Sequence, residues 1–66
     1  MNTYFARKAK WDDYDTDARA YKNAETKICN GLKEVWEFCG MKLKRSNGTY
    51  SGYKNGIVYY AVRLKR

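Results

Sequence analysis

The chain has 66 residues, with fourteen Lys and Arg against seven Asp and Glu, which gives a formal net charge of +7. A chain of this length forms a single small domain with a thin core. It contains no histidine and only two cysteines, which excludes Ser-His-Asp and Cys-His catalysis and leaves zinc without four ligands, unless two copies share one site. We therefore predict a non-enzymatic protein with no metal, cofactor or small-molecule substrate.

The charge is unevenly distributed along the chain. All seven acids lie between Asp12 and Glu37, whereas residues 38–66 carry seven basic residues and no acid. A surface that carries only positive charge attracts polyanions or an acidic protein surface. The asymmetry therefore predicts a class of partner rather than a fold.

The chain contains no apolar segment long enough for a signal sequence or a membrane span, which predicts a cytoplasmic protein without a membrane partner. Cys29 and Cys39 are ten residues apart on one predicted helix, so they would lie about 15 Å from each other, too far for a disulfide. We expect both to be free, buried thiols in a reducing compartment.

The first element is a strand over Thr3–Trp11, where aromatic and basic side chains alternate loosely. A cluster of acids follows, namely Asp12, Asp13, Asp15 and Asp17. This composition favours a helix N-terminus, where free amides attract negative charge. The alternative, a calcium loop, lacks the required Gly and distal Glu.

Apolar residues then recur with a helical period, which predicts one long helix from Tyr14 to about Phe38. The dipeptide Asn30-Gly31 falls on the polar side of this helix, so one helix with a weak point is favoured over two short helices. Gly40 is the expected C-terminal cap. Glu25 interrupts the apolar stripe: it would suit proton transfer if it were buried, but we favour a position at the sheet edge, in solvent or paired with Lys, Arg or Tyr.

After Gly40 the period changes to two, which indicates strands. Met41–Lys44, Thr49–Tyr53 and a last strand from Ile57 are separated by turns at Ser46-Asn47-Gly48 and Lys54-Asn55-Gly56. The last strand has one apolar face, consisting of Val58, Tyr60, Val62 and Leu64, which we expect to pack on the helix. The predicted fold is a small two-layer α+β domain of order β-α-β-β-β, with one long helix on a three- or four-stranded, mostly antiparallel sheet.

A single helix covers only one face of such a sheet, and the second face is predicted to be basic and aromatic. Tyrosine rings there would stack on bases, and Lys and Arg would hold phosphates; alternatively, a basic hairpin would enter a groove. The sequence therefore predicts a nucleic-acid-binding module. The candidate residues on this face, the hairpins and the tail are Lys42, Lys44, Arg45, Tyr50, Tyr53, Lys54, Tyr59, Arg63, Lys65 and Arg66.

Two other functions stay open at this point. The chain's size and its eleven aromatic residues also suit an inhibitor or adaptor of the kind encoded by phages and mobile elements, which would dock on an acidic or nucleic-acid-binding surface of a host protein complex. A histidine-free ribonuclease toxin would use Glu25, Tyr59, Arg63 and Lys65. A homodimer joined through sheets or edge strands would enlarge the thin core.

Overall fold

The computed structural model describes residues 2–64. The strands are β1 (Thr3–Lys10), β2 (Tyr14–Asp15), β3 (Ala20–Tyr21), β4 (Glu25–Asn30), β5 (Lys44–Ser46), β6 (Thr49–Lys54) and β7 (Ile57–Arg63), the α-helix is α1 (Leu32–Cys39), and a 3₁₀ turn, Trp11–Asp13, follows β1. Five strands form one antiparallel sheet in the order β4-β1-β7-β6-β5, and β2 pairs with β3 in a separate hairpin. The predicted α+β class, with a helix on an antiparallel sheet, is confirmed, although the sheet has five strands.

The helix is much shorter than the sequence predicted. Residues 14–30, assigned to the helix by their apolar period, contain β2, β3 and β4, and α1 has only eight residues. Gly31 separates β4 from α1 with a φ of 99° and a ψ of 162°, a conformation open to glycine but strained for other residues. Pairing of β4 with β1 along its whole length outweighs the helical period of this segment.

The acidic cluster lies in the 3₁₀ turn, with Asp12 and Asp13, and in the β2–β3 hairpin, with Asp15 and Asp17, so the prediction of the N-terminus of a long α-helix there was wrong. Asp15 Oδ1 accepts hydrogen bonds from the backbone N–H groups of Asp17 (3.0 Å) and Ala18 (3.3 Å). Asp favours this local bonding to the backbone in turns as well as in helix caps, and the composition alone does not distinguish the two.

The predicted Asn-Gly turns and the cap at Gly40 are confirmed, but the strand predicted over Met41–Lys44 was wrong. The strand β5 spans Lys44–Ser46, and Met41 and Leu43 instead pack beside Gly52 in the connection that follows α1. Asn47-Gly48 and Asn55-Gly56 each connect two strands, and all four residues have positive φ, between 48° and 82°. Two consecutive residues with positive φ define the type I′ turn that matches the twist of a hairpin. Gly40 ends α1 with a φ of 74°, and its N–H donates to the carbonyl of Trp36 at 2.7 Å.

The helix covers the face of the sheet that carries the smallest side chains. Ala6 and Ala61 face each other across β1 and β7, and both are fully buried. Val35 of α1 is also fully buried, in the same core cluster. Farther along, Gly52 makes room for the segment that follows α1, since a Cβ there would lie 2.9 Å from Leu43 Cδ2. The other buried members of the cluster are Tyr4, Cys29, Cys39 and Leu43.

This packing reverses the predicted orientation of β7. The helix side of the strand presents Tyr59, Ala61 and Arg63, whereas the opposite face presents Val58, Tyr60 and Val62. Alanines let the helix approach the sheet closely, whereas branched valines would keep it farther away, so close packing selects the less apolar side of β7.

The second face of the sheet is partly covered by the β2–β3 hairpin. The Arg7 guanidinium lies between two rings, 5.5 Å from the centre of Tyr21 and 4.9 Å from the centre of Tyr60. Tyr21 also makes an edge-to-face contact with Tyr14, at 5.0 Å between ring centres. These contacts hold the hairpin against the sheet, because each cation–π pair at a partly exposed site contributes about 0.5–1 kcal/mol.

Both cysteines are buried and free, as predicted. They are not on one helix, however: Cys29 lies on β4, and Cys39 ends α1. Burial raises the pKa of both thiols above the ordinary value of 9.0. Both thiols therefore stay protonated at neutral pH and are poor nucleophiles.

Candidate nucleic-acid interface

The sheet order separates the charges of the chain in space. Every acid lies in residues 12–37, which form the segment from the 3₁₀ turn to α1, including the edge strand β4. The acid-free strands β5 and β6 lie on the opposite side of the sheet. The positive potential is therefore strongest around the β5–β6 hairpin.

The candidate residues do not share one sheet face. Tyr50, Tyr59 and Arg63 lie on the helix side, whereas Tyr53 and Lys44 lie on the opposite face. The prediction of a single face rich in Lys, Arg and Tyr was wrong, because it rested on the reversed orientation of β7.

The remaining candidates lie at the margins of the sheet. Lys42 is exposed in the connection between α1 and β5. Arg45 and Lys54 are exposed, at the helix side of β5 and at the end of β6, respectively. Lys65 and Arg66 lie outside the described residues.

Some of the candidates meet in a pocket at one end of the sheet, which we call the Arg–Tyr pocket. Its volume is about 520 Å³, and it is formed where the β5–β6 turn meets the start of β1 and the end of β7. Its lining residues are Asn2, Tyr4, Arg45, Asn47, Gly48, Thr49, Tyr50, Val62 and Arg63. Three of the ten sequence candidates therefore contribute to it, namely Arg45, Tyr50 and Arg63.

The two arginines give the pocket its charge. Arg45 projects from the helix side of β5 beside Tyr50, and Arg63 projects from the same side of β7 beside Tyr4. Both arginines are exposed, and no carboxylate is among the described residues that line the pocket. A guanidinium presents a planar fork of N–H donors that suits the oxygens of a phosphate group.

The tyrosine side of the pocket is held in place by aromatic contacts. The ring of Tyr50 makes edge-to-face contacts with Tyr4, at 6.0 Å between ring centres, and with Trp36 of α1, at 5.8 Å. Tyr4 is buried and Tyr50 is half-buried, so Tyr50 offers the more accessible ring. Because α1 packs on this ring through Trp36, the helix fixes one wall of the pocket.

Sequence reasoning missed the part of the pocket contributed by the start of the chain. Asn2 and Tyr4 join it because β1 pairs with β7, which brings Tyr4 opposite Arg63. Nothing in the sequence indicates that this pairing occurs. Asn47 was predicted as a turn residue and Thr49 as a strand residue. The signal that both could contribute to a binding site was that they lie in the same basic hairpin as Arg45.

The four residues that a ribonuclease would use do not all lie in one site. Glu25 and Tyr59 lie on either side of Lys8 in the register of the sheet, and all three line a second pocket of about 340 Å³. Arg63 lies four residues farther along β7 than Tyr59, in the Arg–Tyr pocket, and Lys65 is not described. Glu25 is exposed at the sheet edge, with its Oε2 3.6 Å from Lys8 Nζ, so the favoured structural interpretation of this carboxylate is confirmed.

No helix within residues 2–64 is long and apolar enough to cross a membrane. Within the same residues, no three Cys, Asp or Glu side chains lie together as a metal site would require. A comparison with protein-family models finds no match, and neither a curated protein nor a solved structure is significantly similar to the chain.

Proposed function

We propose that this protein is a non-enzymatic module that binds single-stranded nucleic acid, with one nucleotide held in the Arg–Tyr pocket. The observation that carries the proposal is the conjunction of two guanidinium groups and a half-buried tyrosine ring in one pocket, whose described lining residues include no acid and which borders the basic β5–β6 hairpin. Arginines contribute phosphate contacts, and an aromatic ring next to them stacks on the base.

The size and position of the pocket support a single strand rather than a duplex. About 520 Å³ lies within the range of roughly 300–1,000 Å³ typical of small-ligand pockets, so a nucleotide is of suitable size. A base paired within a duplex does not reach such a pocket, whereas an unstacked base of a single strand does. Stacking on a tyrosine ring contributes about 1–3 kcal/mol per base and is tolerant of sequence.

The surroundings of the pocket extend the positive charge. Lys42 and Lys44 precede Arg45 within three residues of the chain, and both are exposed, with Lys44 on the opposite face of β5. Phosphates on either side of a bound nucleotide would meet these lysines as mobile point charges. Affinity from such contacts falls steeply with salt, because each neutralised phosphate releases counterions.

Fluorescence anisotropy with short single-stranded DNA, single-stranded RNA and duplex DNA tests the proposal. We expect the single strands to bind more tightly, with affinity falling as salt rises from about 0.05 to 0.4 M. Arg45→Ala with Arg63→Ala should weaken binding and reduce the slope of log affinity against log salt by about 1.4, since a single strand contributes about 0.7 per phosphate.

The matched control is Lys22→Ala with Lys33→Ala, which removes the same charge from exposed sites away from the pocket. This control should retain the wild-type slope. No binding near 0.15 M salt, or equal losses in both double variants, would contradict the proposal, because a general charge effect requires no pocket.

Protein binding is the second candidate, and it is favoured by the exposed rings of Trp11 and Tyr53. Their exposed fractions are 60% and 61%, and they contact each other edge to face at 6.3 Å between ring centres. Trp and Tyr are common anchors of protein interfaces. Trp11→Ala with Tyr53→Ala should leave oligonucleotide binding unchanged if this pair contacts a protein; weaker binding would instead assign the pair to the nucleic acid.

A further inference from the structure

The edge strand β4 lacks the features that usually keep a sheet edge unpaired. It has six residues, and five of them are exposed, including Ile28, whose exposed fraction is 56%. By contrast, the other edge strand, β5, has three residues and begins with Lys44 and Arg45. Short length and two adjacent positive charges protect β5 against pairing with another strand, whereas β4 has six residues and its single basic residue, Lys27, is accompanied by the acid Glu25.

Two hydrogen bonds show which backbone N–H and C=O groups of β4 point away from β1. The carbonyl of Thr3 accepts from the N–H of Leu64, so the backbone groups of Thr3 point away from its β4 partner, Asn30. The N–H of Asn30 donates to Glu34 Oε1 at 3.1 Å, which lies outside the sheet, so this N–H also points away from β1. Because the direction alternates along a strand, the N–H and C=O groups of Thr26 and Ile28 also point outward, where no described strand pairs with them.

We propose that β4 pairs antiparallel with β4 of a second copy of this chain, which joins the two sheets into one of ten strands. Outward N–H and C=O groups of the two strands would then satisfy each other, as in other complexes formed by strand addition. The inference is independent of the nucleic-acid proposal.

The side chains of β4 select the register of this pairing. A two-fold axis at Lys27 would place Lys27 opposite its own copy, and like charges directly opposite are destabilising. An axis at Thr26 would pair only the first half of the strand. An axis at Ile28 places Ile28 opposite Ile28 and Thr26 opposite Asn30, with no like charges facing each other. In this register the N–H of Asn30 exchanges Glu34 Oε1 for the carbonyl of Thr26 of the second copy.

The same register joins two apolar rows into one. Ile28, Phe5 and Val62 are neighbours across β4, β1 and β7, on the face opposite the helix. Pairing Ile28 with its copy makes a continuous row of six apolar side chains. Within residues 2–64 of one copy, the largest fully buried side chains are those of Val35 and Cys29, so the joined row supplies burial that a small domain lacks.

Repulsion between two chains of charge +7 does not prevent this arrangement. With strands about 4.8 Å apart, the two β5 edges of a ten-stranded sheet lie roughly 43 Å from each other. That separation is several times the Debye length of about 8 Å at physiological salt. Near the axis, Glu25 and Lys27 of each copy balance each other's charge. Added salt should therefore change the dimer's stability little, whereas it weakens nucleic-acid binding.

Light scattering coupled to size exclusion tests the proposal between about 10 and 300 µM, a range that reveals micromolar dissociation constants. The wild-type chain should approach twice its monomer mass of 7.8 kDa. Ile28→Lys, which disrupts the apolar row, and Thr26→Pro, which removes an outward N–H that makes no bond to β1, should both shift the mass to that of a monomer. Glu37→Gln is the charge-matched control for Ile28→Lys, on the exposed side of α1, and should remain dimeric.

Circular dichroism of each variant shows whether it is folded. A wild-type chain that stays monomeric at the highest concentration would overturn the proposal. So would a dimer that both folded variants retain, since a dimer of that kind is formed through another surface.

Discussion

Replacing Ala61 with valine tests which face of β7 carries the helix. Ala61 is fully buried, opposite Ala6 and in one cluster with Val35. Valine is preferred over alanine in strands, so local preference alone would slightly stabilise the variant. Packing predicts the opposite, because two added methyl groups enter the space that α1 occupies.

The expected cost is about 1–3 kcal/mol, the range for overpacking a filled core. In a domain of 60–100 residues each kcal/mol lowers Tm by roughly 4–8 °C, so Ala61→Val should lower Tm by roughly 5–20 °C. Thermal unfolding followed by circular dichroism at one fixed protein concentration measures this shift, since a dimer would make Tm depend on concentration.

Val62→Thr is the control, one residue along the strand and on the opposite face. Val62 is half-buried, so water can solvate the new hydroxyl, and the loss should stay below about 1 kcal/mol. If the helix instead covered Val62, the hydroxyl would be buried, and the order of the two losses would be reversed. A variant Ala61→Val as stable as the wild type would refute the packing inferred for α1.

Three further predictions concern the hairpin, the helix cap and the thiols. Arg7→Ala removes the guanidinium that lies 5.5 Å from the centre of the Tyr21 ring, so hydrogen exchange should become faster in the β2–β3 hairpin while the large sheet stays protected. Gly40→Ala places a side chain on a residue with a φ of 74°, and urea unfolding should show a loss of about 1 kcal/mol. Stability should also fall above about pH 9: the unfolded thiols of Cys29 and Cys39 ionise near 9.0, whereas burial raises the pKa of both in the folded protein. Each thiol then contributes a slope of up to about 1.4 kcal/mol per pH unit. Urea unfolding across this pH range should give a flatter curve for Cys29→Ala with Cys39→Ala, and equal slopes would contradict the assignment.

Local chemistry made much of the second half of the chain predictable. Asn47-Gly48 and Asn55-Gly56 supply the consecutive positive φ values that a two-residue hairpin requires, and few other dipeptides do so at low cost. The strand β5 was placed too early, at Met41–Lys44 instead of Lys44–Ser46, but the strands β6 and β7 follow from those turns and from a period of two. For the same reason β1, with its loose alternation, was found within one residue of its end, at Lys10.

The segment before α1 was not predictable in the same way. From Tyr14 to Asn30 the apolar residues match a helical period, but β4 pairs along its whole length with β1, which lies about twenty residues earlier in the chain. Pairing between distant segments leaves no local signature, and tertiary context overrides a weak helical pattern. The dipeptide Asn30-Gly31 was a local signal of a break, but it was interpreted as a weak point within one helix, whereas α1 begins only after it.

The orientation of β7 was missed for a related reason. Hydrophobicity alone ranks Val58, Tyr60 and Val62 above Tyr59, Ala61 and Arg63, so the more apolar set was assigned to the helix. The decisive property was the size of the side chains. It becomes visible only when the two paired strands are compared, because Ala6 of β1 lies opposite Ala61 of β7. Small residues at one point of two adjacent strands indicate where a helix approaches closely.

The Arg–Tyr pocket depends on that same long-range pairing. Its walls come from the start of the chain, the β5–β6 hairpin and the end of β7, and only β1 pairing with β7 brings Tyr4 next to Arg63. Charge counting along the sequence therefore located the basic half of the chain but not the site within it. Folding and binding are consequently coupled at this pocket: a ligand that contacts both Arg45 and Arg63 binds only the folded chain, and it raises the free energy of unfolding by mass action. Nucleic acid should accordingly raise Tm in proportion to the logarithm of its free concentration, and Arg45→Ala with Arg63→Ala should reduce that dependence.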